Sequence, residues 1–303
     1  MNDHRKASKR DVYGEVTRRI IGLLEQGVAP WRMTWSSYGL ARNYATGHVY
    51  TGINMILMNH TPHAVPYFMT FNQVKERGGN VRKGSKAELV VYYRAYFKDE
   101  DGRSMNPAQA RIAQAMGRDI RTHRCLKYYN VFNIADIEGI AIDISEVVLK
   151  ENERLEACER LVARMPKRPT FRTLDANQPY YSPRKDVVNM PDIRQFDSPQ
   201  AYYATLFHEL AHSTGHASRL GREAVMCPER FGAHSYSREE LLAEMAASYL
   251  CATVRIDQEP IVQNSAAYLA GWLKVLKADS RFIFKAAAGA QKAADYILGK
   301  FSG

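Results

Sequence analysis

Residues 205–216 read TLFHELAHSTGH, and the core His208-Glu209-Leu210-Ala211-His212 limits the fold more than any other stretch of the chain. On a helix of 3.6 residues per turn, histidines four positions apart lie about 40° apart in azimuth and about 6 Å apart along the axis. Two imidazoles so placed converge on one tetrahedral ion. Glu209 points about 100° away from His208, too far round to ligate beside it. It can still reach a water at the ion as a general base. Such a helix needs a buried side, which Tyr203, Leu206 and Phe207 supply. A third ligand must come from another element.

The segment SREELLAEMAASYL, residues 237–250, offers one. Leu241, Leu242, Met245 and Leu250 give it a core face, and Glu240 and Glu244 stand at i and i+4. One carboxylate is expected to ligate and the other to hydrogen-bond a histidine. Glu244 is favoured as ligand, because Ala243, Ala246 and Ala247 allow close helix approach; Glu240 is the alternative. His216 is the rival on the first helix. At i+8 from His208 it sits about 12 Å further along the axis, beyond reach of the same ion on an unbroken helix. Two imidazoles and a carboxylate favour Zn2+, with Mn2+ or Co2+ as other occupants. A catalytic site of this type would hydrolyse peptides, with Glu209 as base and His234 or Tyr236 as candidate oxyanion donors. Residues 186–191, DVVNMP, are the candidate sheet edge for an extended substrate.

The first half of the chain has a different character. Residues 1–150 carry 22 Lys and Arg against 14 Asp and Glu, a net +8 of the total +10. That asymmetry points to a polyanion, with nucleic acid the natural one. Aromatic residues interleave with the cations: Trp31, Arg32 and Trp35; then Arg42, Tyr44, His48 and Tyr50; then Tyr92 and Arg94 on one strand face with Tyr93 on the other. A Gly-rich turn adds Arg82, Lys83 and Lys86. Such a mixture suits single strands, where aromatic rings stack on exposed bases and cations follow the phosphates.

Periodicity predicts a helix over 10–26, the start of another at 53–58, a strong strand at 87–97, and a polar, partly helical insertion at 99–124. Strand returns at 125. Beyond it come a helix within 145–168, a short hairpin within 180–196, helices over 198–216 and 237–253, and two more at the end. The expected class is α+β: a small α+β unit at 1–145, then a mainly helical zincin-like, minimal gluzincin, unit at 146–303. No apolar run approaches the roughly 18 residues of a membrane span, and the polar N-terminus lacks a signal-peptide core. Four scattered cysteines without a CxxC pair fit free thiols, hence a cytoplasmic setting and no membrane partner.

Taken together, these blocks resemble the ArdC-type antirestriction proteins of conjugative plasmids and other mobile elements. The likeness lies in GVAPWRMTW, RNYATGHVYTGIN, GGNVRKGSKAELVVYY and YYNVFNIADIEGI, and later in PDIRQFDSPQAYYATLFHELAHSTGH and YSREELLAEMAASYLC. It implies a single-stranded DNA-binding domain followed by a metallopeptidase domain, and a role in protecting incoming plasmid DNA from host restriction endonucleases. It also implies metal ligation by His208, His212 and Glu244, catalysis at Glu209, and DNA contact at Arg82–Lys86. Where the family often reads P-W-x-x-P-W, this chain has Thr34 in place of the second proline. Two other readings stay open: a DNA-dependent metalloprotease that cleaves DNA-bound proteins, and a plain zinc peptidase with a basic surface.

Overall fold

The computed structural model describes residues 10–31, 40–59, 61, 63, 65–144, 151–173, 178–226, 234–256 and 265–300. The chain opens with α1 (Val12–Glu25), where Asp11 accepts from the Gly14 N–H and caps the first turn. Val12, Val16, Ile20 and Leu24 recur at i+4 and form its buried stripe. Gly27, at φ +75°, supplies the left-handed residue that ends it. Then follow β1 (Arg42–Asn43), α2 (Ile53–Asn59), β2 (Tyr67–Thr70), α3 (Phe71–Glu76), β3 (Asn80–Val81) and β4 (Glu88–Lys98). A capping box between Thr70 and Gln73 starts α3 at the end of β2.

Residues 99–120 hold β5 (Ser104–Met105) and α4 (Pro107–Ala115). The insertion is therefore shorter than expected, because β6 (Arg121–Asn133) already begins at 121. Residues 121–124 are all exposed strand, so no buried-face alternation marked them in the sequence. The sheet runs β1-β2-β6-β4-β5, antiparallel except for β1 with β2. β4 and β6 pair from Glu88↔Val131 to Lys98↔Arg121. Leu89, Val90, Val91 and Val131 anchor this pair in the core, and from Tyr92 outward it runs over the surface as a ribbon. The short β7 (Ile137–Glu138) pairs with β3.

The second half begins with α5 (Glu151–Arg164); the expected boundary near 145 lies outside the described residues. A small sheet follows, of β8 (Thr170–Arg172), β9 (Tyr180–Ser182) and β10 (Val187–Asn189) in the order β8-β10-β9. This overturns the reading of 186–191 as an edge. Val187–Asn189 is the central strand, paired parallel with Thr170–Arg172 and antiparallel with Tyr180–Ser182. Its three buried residues are what a central strand requires, and they leave no ladder for a substrate. The remaining elements are α6 (Pro199–Ser213), α7 (Glu223–Met226), α8 (His234–Val254), α9 (Ser265–Ala278) and α10 (Phe282–Ile297). Among the described residues no helix is long and apolar enough to cross a membrane. Cys125, Cys158 and Cys251 are free thiols.

One hydrophobic cluster joins the halves, running from α1, α2, β4 and β6 into α5, α6, α8, α9 and α10. Trp31 is fully buried and meets Trp272 of α9 edge-on, ring centres 5.1 Å apart. The Ser248 hydroxyl of α8 donates to the Trp31 carbonyl, and the Tyr249 hydroxyl donates to the Gly52 carbonyl at 3.1 Å. The Gly52 N–H in turn donates to Gln291 Oε1 of α10 at 3.0 Å. Thus α8, which carries the glutamates considered below, is fastened to the basic half by side chains one and two turns further along its own length.

Candidate metal centre and the basic surface

α6 starts cleanly: Ser198 caps it by accepting from the Ala201 N–H at 3.1 Å, and Pro199 takes the first turn, where no N–H is needed. Every residue from Tyr203 to Ala211 is buried, His208 and Glu209 included. α8 lies against it and is as apolar, with Leu241, Ala243, Met245, Ala246 and Ala247 buried to within 1%. Two helices this apolar can hold six ionisable groups around their contact only if those groups satisfy one another or an ion.

The rings of His208 and His212 stand at 83° to each other with their Nε2 atoms 3.1 Å apart. Glu240 of α8 completes the set: Oε2 lies 3.4 Å from His208 Nε2, and Oε1 lies 3.5 Å from His212 Nε2. These three are the residues that converge with metal-ligand geometry among the described residues. Tetrahedral ligands at about 2.0–2.1 Å from an ion are separated by about 3.3–3.4 Å. The three donor separations bracket that edge, so the residues fit a small divalent cation. Glu244, the expected third ligand, stands elsewhere. Its Oε2 is 3.7 Å from His208 Nδ1, on the far side of the ring from the cluster. The two glutamates share a face of α8, and the one nearer its N-terminus is level with the imidazole tips.

Each ring also has a carboxylate behind it, hydrogen-bonded at His212 and at ion-pair distance at His208. Glu244 faces His208 Nδ1, and Glu239 Oε1 lies 3.4 Å from His212 Nδ1. Arg222 donates to Glu239 twice, from Nε at 3.0 Å and Nη2 at 2.6 Å, and also to the Thr214 hydroxyl and the Ala211 carbonyl. The sequence reading missed Glu239 and Arg222. Glu239 was visible only as the first of two adjacent acids, and Arg222 sits in a loop with no periodicity. Gly215 serves close approach rather than an unusual backbone: a Cβ there would fall 2.4 Å from Val225 Cγ2 and 3.1 Å from Arg222 Nη2. His216 faces away, with Nδ1 taken by the Ser218 hydroxyl at 2.8 Å and the Ser218 N–H at 3.2 Å.

The electrostatics follow from burial and crowding. Burial opposes charge on both rings, but Glu240 and Glu209 together outweigh it and lift the His208 pKa; the same two acids and Glu239 lift that of His212 further. Burial would also raise Glu240, yet the two imidazoles hold it well below the usual carboxylate range. Burial pushes the Glu209 carboxyl up, against the pull of both histidines. A cation between the rings would replace the protons that they otherwise attract. His234 and Tyr236 fall in the first turn of α8, and their side chains lie outside the described residues.

The nucleic-acid candidates separate by exposure. Arg82, Lys83 and Lys86 are exposed on the turn after β3, with Arg82 paired to Glu138 at 3.0 Å. Tyr92 and Arg94 are exposed on the ribbon. Arg42 is half-buried above the Tyr67 ring, and Tyr44 is half-buried, its hydroxyl accepting from the Asp143 N–H at 3.0 Å. Tyr50 is corrected: at 1% exposure it packs edge-on to Phe68 and cannot meet a base. Arg32 and Trp35 lie outside the described residues.

The fold and the centre define a class: an α+β protein whose second half is a zincin-like metallopeptidase unit. Two family models divide the chain between them, the N-terminal domain of the anti-restriction factor ArdC over residues 10–132 and a zincin-like metallopeptidase over 156–289. The crystal structure of the antirestriction protein ArdC from plasmid R388, metal-free, superposes with a TM-score of 0.74 at 33% identity, covering 96% of this chain and 98% of that one. Its Mn(II)-bound form gives 0.72 at 34% identity. The uncharacterized protein y4eC of Sinorhizobium fredii is 32% identical over 97% of this chain and 94% of its own length. The DNA primase TraC of Escherichia coli is 33% identical over 96% of this chain, which spans only 27% of that primase. The chain belongs to the ArdC family of antirestriction proteins.

Proposed function

We propose that this protein binds single-stranded DNA through its basic half and shields incoming plasmid DNA from host restriction endonucleases in the cytoplasm. In this reading it carries a divalent metal centre held by His208, His212 and Glu240. The observation that carries the centre is the set of donor separations of 3.1, 3.4 and 3.5 Å between two helices that are otherwise apolar. The Mn(II)-bound relative supports a divalent occupant, and the imidazole–carboxylate set suits zinc equally. When bound, such an ion supplies Lewis acidity to a peptide carbonyl and makes water more acidic. The protein's own part is positional. Glu239 bonds to the back of the His212 ring, Glu244 stands behind that of His208, and Glu209 is the group that would take a proton from water if the centre hydrolysed peptides.

The second reading, a protease acting on DNA-bound proteins, is favoured by one observation. Glu209 is buried on α6 directly after His208, where a general base for a water at the ion would stand. Replacing Glu209 by Gln separates the two, because it keeps shape and metal while removing the base. Protection from restriction in cells at the wild-type level supports shielding by binding. Loss of protection with DNA affinity intact supports proteolysis. Peptide cleavage unaffected by added DNA would favour a plain peptidase and contradict both.

A further inference from the structure

The ribbon of β4 and β6 bears a pattern that emerges only when its two strands are set in register. Opposed residues of an antiparallel pair share a face. The register therefore puts Tyr92, Arg94, Tyr96 and Lys98 on one face with Lys127, Cys125, His123 and Arg121 opposite them. Tyr92 and Tyr96 are 44% and 36% exposed, and the Arg94 guanidinium lies 5.3 Å above the Tyr96 ring. On the other face the Tyr13 hydroxyl of α1 bonds to that of Tyr93 at 3.0 Å and Arg10 covers the Tyr128 ring at 4.6 Å, so both rings already have partners, although they stay 52% and 40% exposed. Residues 92–98 and 121–127 include five Lys or Arg and no carboxylate. The acids Asp99, Glu100 and Asp101 come only beyond the last register pair, where Asp101 meets Arg103.

A solvated face kept only for solubility mixes both signs of charge and avoids exposed rings. This one alternates ring, cation, ring, cation along a single strand. Successive residues on one face are about 6.6 Å apart, so Tyr92 and Tyr96 lie about 13 Å apart with Arg94 between them. Rings at that interval need partners with accessible flat faces, and the cations need a polyanion. A single strand provides both, whereas a duplex keeps its bases stacked on one another.

We propose that the outer face of the β4–β6 ribbon is the stacking platform for a single strand of nucleic acid, with Tyr92 and Tyr96 receiving bases. Arg94, Lys98, Arg121 and Lys127 run beside its phosphates. The proposal rests on the single-strand reading above and deepens it: the ribbon, more than the Arg82–Lys86 turn, holds the strand.

The test uses the full chain and a fluorescently labelled 20-nucleotide oligo-dT, read by anisotropy over a salt series. Tyr92→Ala and Tyr96→Ala should each weaken binding about 5-fold to 100-fold with little change of salt slope, while Phe at either position retains affinity. Removing three cations, Arg94→Ala with Lys98→Ala and Arg121→Ala, should lower the log–log slope by about 2. Crosslinking of wild-type protein to a bromodeoxyuridine oligomer should map to residues 92–98 and 121–127, an outcome that does not depend on the folding of any variant. Wild-type binding that these variants leave unchanged, with crosslinks confined to 82–86, would overturn the platform and leave the single-strand reading standing. A wild-type protein that binds no single strand would overturn that reading itself. Equal affinity for a duplex, with the tyrosine variants unaffected, would reduce the face to a general polyanion surface and overturn the platform.

Discussion

The Arg222 guanidinium grips Glu239 with two hydrogen bonds, of 3.0 and 2.6 Å, and Glu239 in turn stands 3.4 Å from His212 Nδ1. A loop arginine thus sets the plane of a ring whose other nitrogen faces the candidate ion. Glu239→Gln should weaken divalent-metal affinity about 10-fold to 100-fold, the usual cost of losing an outer partner. Arg222→Ala should do the same and also destabilise the fold by about 3 kcal/mol, because it leaves Glu239 buried without its cation. Competition titration with a chelating dye and urea unfolding read the two effects separately. Unchanged metal affinity in both variants would remove the positioning role.

Glu240 and Glu244 stand in roles opposite to those the sequence favours, with Glu240 beside the imidazole tips and Glu244 behind a ring. Glu240→Ala should abolish stoichiometric metal after dialysis, a greater loss than any outer partner gives. Glu244→Gln should retain the metal at an affinity lowered about 10-fold to 100-fold. Elemental analysis of the purified variants decides this, and the reverse ranking would restore Glu244 as the ligand.

Acid should loosen the loop beyond α6. The Arg219 side chain is fully buried and donates to both Asp186 oxygens, to the Tyr181 hydroxyl, and to the Ser213 and Lys167 carbonyls. Burial would raise the Asp186 pKa, but Arg219 and Tyr181 outweigh it and hold the carboxyl below its usual value. A folded pKa below the unfolded one contributes stability that is present above about pH 4 and is lost as pH falls through the folded value. Asp186→Asn should cost about 2 kcal/mol at pH 7, and the cost should shrink as pH falls through the folded value, measured as the difference between urea unfolding curves. A constant difference across that range would show that the charge is not what matters.

Because one apolar cluster crosses both halves, they should unfold together. Trp31→Ala removes a fully buried ring from the contact with Trp272 and should cost about 3–5 kcal/mol. Calorimetry should give one transition in the wild type, shifted down in the variant. Two separate transitions in the wild type would contradict the shared core.

The helices around the site were legible because their apolar residues keep a 3.6-residue period, and the two histidines because their spacing has few other uses. The choice between Glu240 and Glu244 was not legible. Both share a face of α8, and the axial slide of one helix along the other is set by how Ala243, Ala246 and Ala247 pack, which no spacing encodes. The burial of Tyr50 was not legible for a related reason: a tyrosine beside cations has the same sequence signature whether it faces a base or Phe68. The far end of the ribbon escaped notice because an exposed cationic strand has no buried face to impose alternation.

The central claim is that the ion, when present, sits between α6 and α8 on His208 Nε2, His212 Nε2 and Glu240. Anomalous diffraction from crystals soaked in Zn2+ or Mn2+ tests it most directly. The account predicts one strong peak about 2.0–2.2 Å from those three side chains, with Glu244 still behind the His208 ring. A peak coordinated by Glu244 or His216, or the absence of any peak between the two histidines, would contradict it.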